Sequence, residues 1–223
     1  MANDCSYDIY FYKFRGRAEP IRLLLEYVGA KYRNLHPIDW PSDFKSSIPF
    51  GSLPVIVEKD STGKEFKLVN TQSIIRYIAN KYNLAGKDLH ENALMDTVSY
   101  SYVEAYEQFI KAWSQPNPMK KELLEKYFNN ELSNFIQYHE SFLRDNKCTN
   151  FYFGDKISYV DILCFHFMDR LLEVRRDVFV PAKCPHLWQI YENIRKNPKI
   201  KDYLFSPRRL PLSLNDRQTG RTC

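Results

Sequence analysis

Near residue 82 the chain changes its hydrophobic rhythm. Before that point short apolar runs alternate with one-faced stripes. Tyr7 to Phe11 reads as an extended run, and Ile21, Leu24, Leu25 and Val28 then recur at the spacing of one helix face. Pro20 falls near the first helical position, where its missing N–H costs nothing. A further extended arm follows at Tyr32 to Leu35. Val55-Ile56-Val57 and Phe66-Lys67-Leu68-Val69 flank the turn-like Asp60-Ser61-Thr62-Gly63-Lys64, and Gln72 to Tyr82 reads as a helix. Beyond Leu84-Ala85-Gly86-Lys87-Asp88 every stretch reads as helical. One spans about 89–114 and another 119–145, with breaks at Pro116 and Pro118. The second carries Leu123, Leu124, Tyr127, Phe128, Leu132, Phe135, Ile136 and Phe142 at helical spacing. Ser158-Tyr159-Val160-Asp161 has the form of a capping box, with Ile157 and Ile162 placed as a hydrophobic staple. Two more helices follow Pro185 and Pro198, and residues 206–223 read as a loose tail.

Composition narrows this picture. A chain of 223 residues with 44% hydrophobic and 15% aromatic side chains can fill a core, so compositional disorder is set aside outside the tail. The net charge of +5 arises from 32 basic and 27 acidic residues spread along the sequence, which argues against a nucleic-acid face and favours the gathering of small anions. Five widely spaced cysteines form no C-x-x-C pair and read as free thiols. No leader-like start and no run of 18 apolar residues is present, so a cytoplasmic protein without membrane insertion is expected. His36, His90, His139, His166 and His186 show no metal spacing, and no metal is expected.

Three segments carry chemistry. The first runs from Phe11 through Lys13-Phe14-Arg15-Gly16-Arg17-Ala18-Glu19-Pro20, a strand-to-helix turn. The second is Pro49-Phe50-Gly51-Ser52-Leu53-Pro54-Val55-Ile56-Val57, and the third is Asn70-Thr71-Gln72-Ser73-Ile74-Ile75-Arg76-Tyr77. Together they resemble the glutathione-binding half of a cytosolic glutathione transferase of the sigma-like, tyrosine-type branch, and the resemblance extends from residue 7 to about 205. It implies an α+β thioredoxin-like N-terminal domain followed by an all-α domain: residues 1–82, a linker at 83–88, helices over 89–205 and the tail at 206–223. It also implies a homodimer, with Phe50 where related classes insert an aromatic into the partner subunit.

The resemblance assigns roles along an extended cleft. Gln72 and Ser73, at a helix start, would take the γ-glutamyl carboxylate through their N–H groups and the Ser73 hydroxyl. Leu53, before a cis Pro54, would pair with the cysteinyl backbone. Trp40 and Lys45 would hold the glycyl end, with one residue more between them than the family has. Arg17 would orient a water or the thiolate. Glu104 would reach across a dimer to the partner's glutathione ammonium, where the family usually has Asp. Phe14, Tyr106 and Trp113 would line the pocket for an apolar electrophile, although each taken singly is better explained as a core aromatic.

Two residues depart from the pattern. Ser52 stands where a Lys or Gln often meets the glycyl carboxylate, a charge-assisted bond worth about 1.5–3 kcal/mol. Phe11 occupies the position of the tyrosine whose O–H stabilises the glutathione thiolate, and a phenyl ring has no donor. Tyr10 and Tyr12 flank it, but strand alternation turns positions 10 and 12 away. A local bulge re-aiming Tyr12 is the route by which it would substitute. Two functions therefore stand open. One is conjugation of glutathione to apolar electrophiles with weakened catalysis. The other is a catalytically silent structural, crystallin-like or ligand-binding protein on the same fold.

Overall fold

The computed structural model describes residues 5–37, 43–147 and 149–213. They form two compact units, one comprising the chain through Leu84 together with the chain from Asn197 on, the other Ala85–Lys196.

The first unit is built on a four-stranded sheet in the order β2-β1-β3-β4. β1 (Ser6–Tyr10) runs parallel to β2 (Lys31–Leu35) and antiparallel to β3 (Val55–Lys59), which pairs antiparallel with β4 (Glu65–Val69). Tyr7, Asp8 and Ile9 are all buried, so β1 is covered on both faces. The buried Asp8 accepts two hydrogen bonds from the Arg33 guanidinium of β2, at 2.7 and 2.8 Å, and Lys59 of β3 stands 3.5 Å from it. The Arg33 bonds hold the Asp8 carboxyl below its ordinary range.

Helix α1 (Glu19–Val28) buries every residue from Glu19 to Glu26, more than the expected stripe, while Val28 of that stripe is half-buried; it ends at Gly29, whose φ of 74° permits Ala30 N–H to reach Leu25 O at 2.9 Å. A short α2 (Asp43–Ser46) leads to β3. Helix α3 (Thr71–Lys81) is pinned to the sheet by Glu58 of β3, which accepts from Tyr77 Oη at 2.9 Å and Lys81 Nζ at 2.7 Å.

The second unit contains α4 (Leu89–Trp113), α5 (Met119–Lys126), α6 (Leu132–Asp145), α7 (Tyr159–Val174) and α8 (Pro185–Lys196). The stretch expected as one helix over 119–145 instead passes through a π turn at Tyr127–Glu131. The wider turn lets Tyr127 and Phe128, adjacent in sequence, both be buried. Helix α7 is buried along its whole first half, as a central helix must be. Asp161 secures its start by accepting from the N–H and hydroxyl of Ser158 and from Tyr152 N–H.

The units depart from the boundaries expected at 82, 88 and 205. A final helix, α9 (Pro198–Leu204), belongs with the sheet unit, and residues 206–213, expected as a loose tail, are anchored to α1. Arg208 Nη1 donates to both Glu26 oxygens at 2.8 Å, and its Nη2 donates to Asp202 at 2.6 Å. Side-chain periodicity carries no information about partners 182 positions apart, which is why this segment reads as a basic tail.

A buried hydrogen-bond chain crosses the second unit. Ser101 donates to Val98 O at 2.6 Å, so its Oγ accepts from His139 Nε2 at 2.9 Å. His139 Nδ1 then accepts from Tyr152 Oη at 2.6 Å, which in turn accepts from Tyr102 Oη at 2.7 Å. Only neutral imidazole fits this order, and burial lowers the His139 pKa to about 3. Its contribution is therefore complete above the unfolded value near 6.5 and is lost as pH falls toward 3. Burial raises Asp161 to about 6, which acts oppositely, its share disappearing as pH rises through 6. Between pH 6 and 4 the two partly cancel. The lowered carboxyls of Asp8, Asp60 and Asp88 add a loss of stability on the acid side, and His139→Gln should make the fall in stability between pH 6 and 4, measured by urea unfolding, shallower than in the unmodified protein. Parallel pH profiles for the two proteins would refute the assignment.

Candidate functional site

Phe11 follows the last residue of β1. Its N–H extends the ladder to Leu35 O at 3.1 Å, and its carbonyl accepts from His36 Nδ1 at 3.0 Å, which fixes that imidazole with its proton on Nδ1. The ring is 5% exposed. It meets Tyr12 edge-on at 5.4 Å and Phe14 edge-on at 5.5 Å, while Tyr12 and Phe14 lie parallel at 5.8 Å. The alternation argument that turns Tyr12 away stops applying at this point, because the strand ends at Tyr10. The chain folds back at once, Phe14 N–H donating to Tyr12 O at 2.8 Å. Tyr12 is 39% exposed, and among the described residues its hydroxyl makes no hydrogen bond. Tyr10 does follow alternation, packing with Leu53 against Ile48, Val55 and Val69.

Gly16 is required here for two reasons. Its φ is 45°, and a Cβ would lie 2.7 Å from carbons of both Phe11 and Phe14. The rings therefore press directly on the turn. Arg17, the next residue, is exposed, and its carbonyl accepts from Thr71 Oγ1 at 3.2 Å, which ties the first motif to the third.

At the start of α3, Gln72 is half-buried and Ser73 exposed. Their N–H groups are already engaged. Asn70, at φ 73°, places Oδ1 3.0 Å from Gln72 N and 3.4 Å from Ser73 N as the helix N-cap. Any carboxylate bound at this helix end must share these donors with Asn70 or displace it. Sequence reasoning passed over Asn70, although an Asn just before a helix start was itself the signal.

The second motif is a single loop. The Leu53–Pro54 peptide is cis. The Lys45 stem runs along Gly51, its Cε 3.2 Å from where a Cβ would stand, and Ile48 N–H donates to Lys45 O at 3.2 Å. Lys45 and Ser52 are both exposed on this loop, and Phe50 projects from it at φ 58° with 94% of its surface exposed. Trp40 lies outside the described residues.

The remaining candidates belong to the second unit. Glu104 is exposed on α4. Tyr106 packs against Phe109 at 6.4 Å and His166 at 5.6 Å. Trp113 stacks on Phe109 at 5.7 Å, with Lys120 Nζ 3.4 Å from its ring centre and the Arg170 guanidinium at 5.0 Å. Among the described residues no group of three or more His, Cys, Asp or Glu could hold a metal ion, and no described helix is long and apolar enough to cross a membrane.

Residues 8–80 match the model of the glutathione S-transferase N-terminal domain, and residues 103–207 match that of the glutathione S-transferase C-terminal domain. A glutathione S-transferase of Dirofilaria immitis is 29% identical over 218 residues, covering 96% of this chain and all of the relative. Another, from Gallus gallus, is 31% identical over 201 residues, covering 88% of this chain and 87% of the relative. The solved structure of a Pi-class glutathione S-transferase of Onchocerca volvulus superimposes with a TM-score of 0.80 at 25% identity, covering 94% of this chain and 98% of that one. With both halves matched in order and near-complete coverage of such relatives, the chain belongs to the glutathione S-transferase family.

Proposed function

We propose that this protein binds glutathione in its sheet unit and transfers the thiol to apolar electrophiles slowly, because Phe11 stands where the activating tyrosine of a sigma-like enzyme would be. The observation that carries this reading is the position of Phe11. It closes the first strand, its ring abuts Gly16, and it is surrounded by the turn that Thr71 links to the α3 start. In the proposed complex Gln72 and Ser73 take the γ-glutamyl carboxylate, Leu53 pairs with the cysteinyl backbone beside Pro54, and Lys45 with Trp40 and Ser52 holds the glycyl end. Arg17 flanks the sulfur. Phe14, with Tyr106 and Trp113, serves the electrophile. The protein acts as a cytoplasmic homodimer in which Phe50 inserts into the partner and Glu104 meets the partner's glutathione ammonium. No metal takes part.

The silent, crystallin-like alternative is favoured by the same Phe11, since a missing preorganised donor costs about 10²–10³ in rate. Tyr12 separates the readings. The residue is 39% exposed, its hydroxyl is unpaired among the described residues and its ring is in contact with Phe11, so it is the group proposed to take over the donor role.

Titration of the thiolate absorbance of bound glutathione tests this. Thiolate near neutral pH is expected in the unmodified protein, reduced in Tyr12→Phe, with turnover in Phe11→Tyr raised about 10²-fold or more. Thiolate found only in Phe11→Tyr would establish the silent reading.

Asn70→Gly keeps the positive φ while removing the competing oxygen. It is expected to cost only a few tenths of a kcal/mol in stability and to tighten glutathione binding measured by calorimetry; weaker binding would show that Asn70 helps to hold the ligand. Burying a phenyl side chain contributes about 1.5–3 kcal/mol. Phe50→Ser should accordingly shift sedimentation from dimer toward monomer, and an unchanged dimer would remove Phe50 from the interface.

A further inference from the structure

Both peptide groups of Arg15, the residue immediately before Gly16, are held by groups that lead to the C-terminal segment. Its N–H donates to Pro211 O at 2.9 Å. Its carbonyl accepts from Arg22 Nη1 at 3.1 Å, and the same nitrogen pairs with Glu19 at 3.0 Å. Glu19 in turn accepts the Tyr203 hydroxyl of α9 at 3.1 and 3.2 Å. The segment contacts α1 at both ends, alternating between them along its length. Lys199 Nζ caps the far end of α1 at Tyr27 O (3.0 Å), Tyr203 meets the near end at Glu19, and Pro211 reaches the turn beyond. Arg208, bidentate on Glu26, is the anchor between Tyr203 and Pro211.

We propose that the segment Asn197–Ser213 is a positioning strap for the thiol end of the site. By fixing Arg15 from both sides it sets the pose of Phe14, Gly16 and Arg17, so that glutathione affinity depends on residues that touch no part of the ligand. This deepens the glutathione-binding reading and rests on it. The strap lies on the α1 side of the turn, in the same unit as the turn itself. Its bonds are local enough to be broken singly. Tyr203 can lose its hydroxyl while keeping its ring, and Arg208 is half exposed, so its removal opens no cavity.

The test uses the full chain with Arg208→Ala, Arg208→Lys and Tyr203→Phe, and with Lys196→Ala on α8 as a surface-charge control. Amide hydrogen exchange without ligand reads the Arg15 N–H directly, and calorimetry reads glutathione affinity. Arg208→Ala and Tyr203→Phe should each speed exchange at Arg15 by about fivefold or more and weaken glutathione binding several-fold. Arg208→Lys should recover part of both effects, and the control should change neither. Unchanged Arg15 exchange overturns the strap whatever the ligand data show. Faster exchange with unaltered affinity overturns its positioning role. Failure of the intact chain to bind glutathione overturns instead the functional reading on which the strap's purpose rests, and it is told apart because the exchange measurement needs no ligand.

Discussion

Arg22 is fully buried, and the first unit brings acceptors to its Nε and Nη1, while Nη2 meets none among the described residues. Taking a guanidinium out of water costs several kcal/mol unless its donors find acceptors. Three are supplied by different parts of the fold: Asn34 Oδ1 of β2 at 2.7 Å, the Glu19 carboxylate at the start of α1, and the carbonyl of Arg15 in the site turn. Each supplier is held by something else. Asn34 sits in the β1–β2 ladder opposite Ile9, and Glu19 is shared with Tyr203. Burial together with the Glu19 carboxylate drives the Tyr203 phenol far above its usual pKa, so it remains a donor at any physiological pH. Removing one partner leaves a buried charge uncompensated, which typically costs about 3–5 kcal/mol. A strand, a helix, a turn and the C-terminal helix thus share one electrostatic constraint, and the turn among them is the one that carries the proposed chemistry.

The same constraint explains which parts of the structure were legible beforehand. Strand and helix identities depend on local periodicity and turn chemistry, and these were readable: the hairpin around Asp60 and Gly63, the helix α1 and the box that starts α7 all stand where the pattern puts them. Grouping was not. Arg22 reads as one more polar position on an amphipathic helix, and Arg208-Arg209 as a solvated doublet: Glu19 is a local partner of Arg22, but nothing in the pattern brings Asn34 to Arg22 or Glu26, 182 positions away, to Arg208. The π turn is likewise invisible to a rule that assumes 3.6 residues per turn throughout.

For the site, motif spacing located the loops but not the detail that decides their chemistry. Alternation accounts for the packing of Tyr10 but does not extend to Tyr12, since a strand rule carries no warning that the strand stops at Tyr10. The helix-start motif identifies Gln72 and Ser73 as donors without revealing that Asn70 has already claimed their N–H groups. Gly16 reads as a turn residue, whereas its need is doubled by two aromatic rings closing on it.

Those rings bear on the thiol beyond the lost hydroxyl. A sulfur placed beside Phe11, Tyr12 and Phe14 meets apolar surface, and desolvation favours the neutral thiol just as it favours a neutral buried carboxyl. Phenylalanine at position 11 therefore removes the one donor that would offset the low-dielectric surroundings that Tyr12 and Phe14 share with it. Positive charge from Arg17 counters this only weakly if it remains in water, because exposed charges are screened. A short hydrogen bond from Tyr12 is the stronger remedy, since a donor held against an anion gains from the same low dielectric that penalises the bare thiolate. The parallel stacking of Tyr12 on Phe14 bears directly on whether this remedy is available, for it restricts the ring that carries the hydroxyl. Phe14 in turn is carried by the turn that the Arg15 clamp holds in place. Activation of the thiol in this protein then depends on the firmness of the turn behind residue 11 as well as on the identity of residue 11.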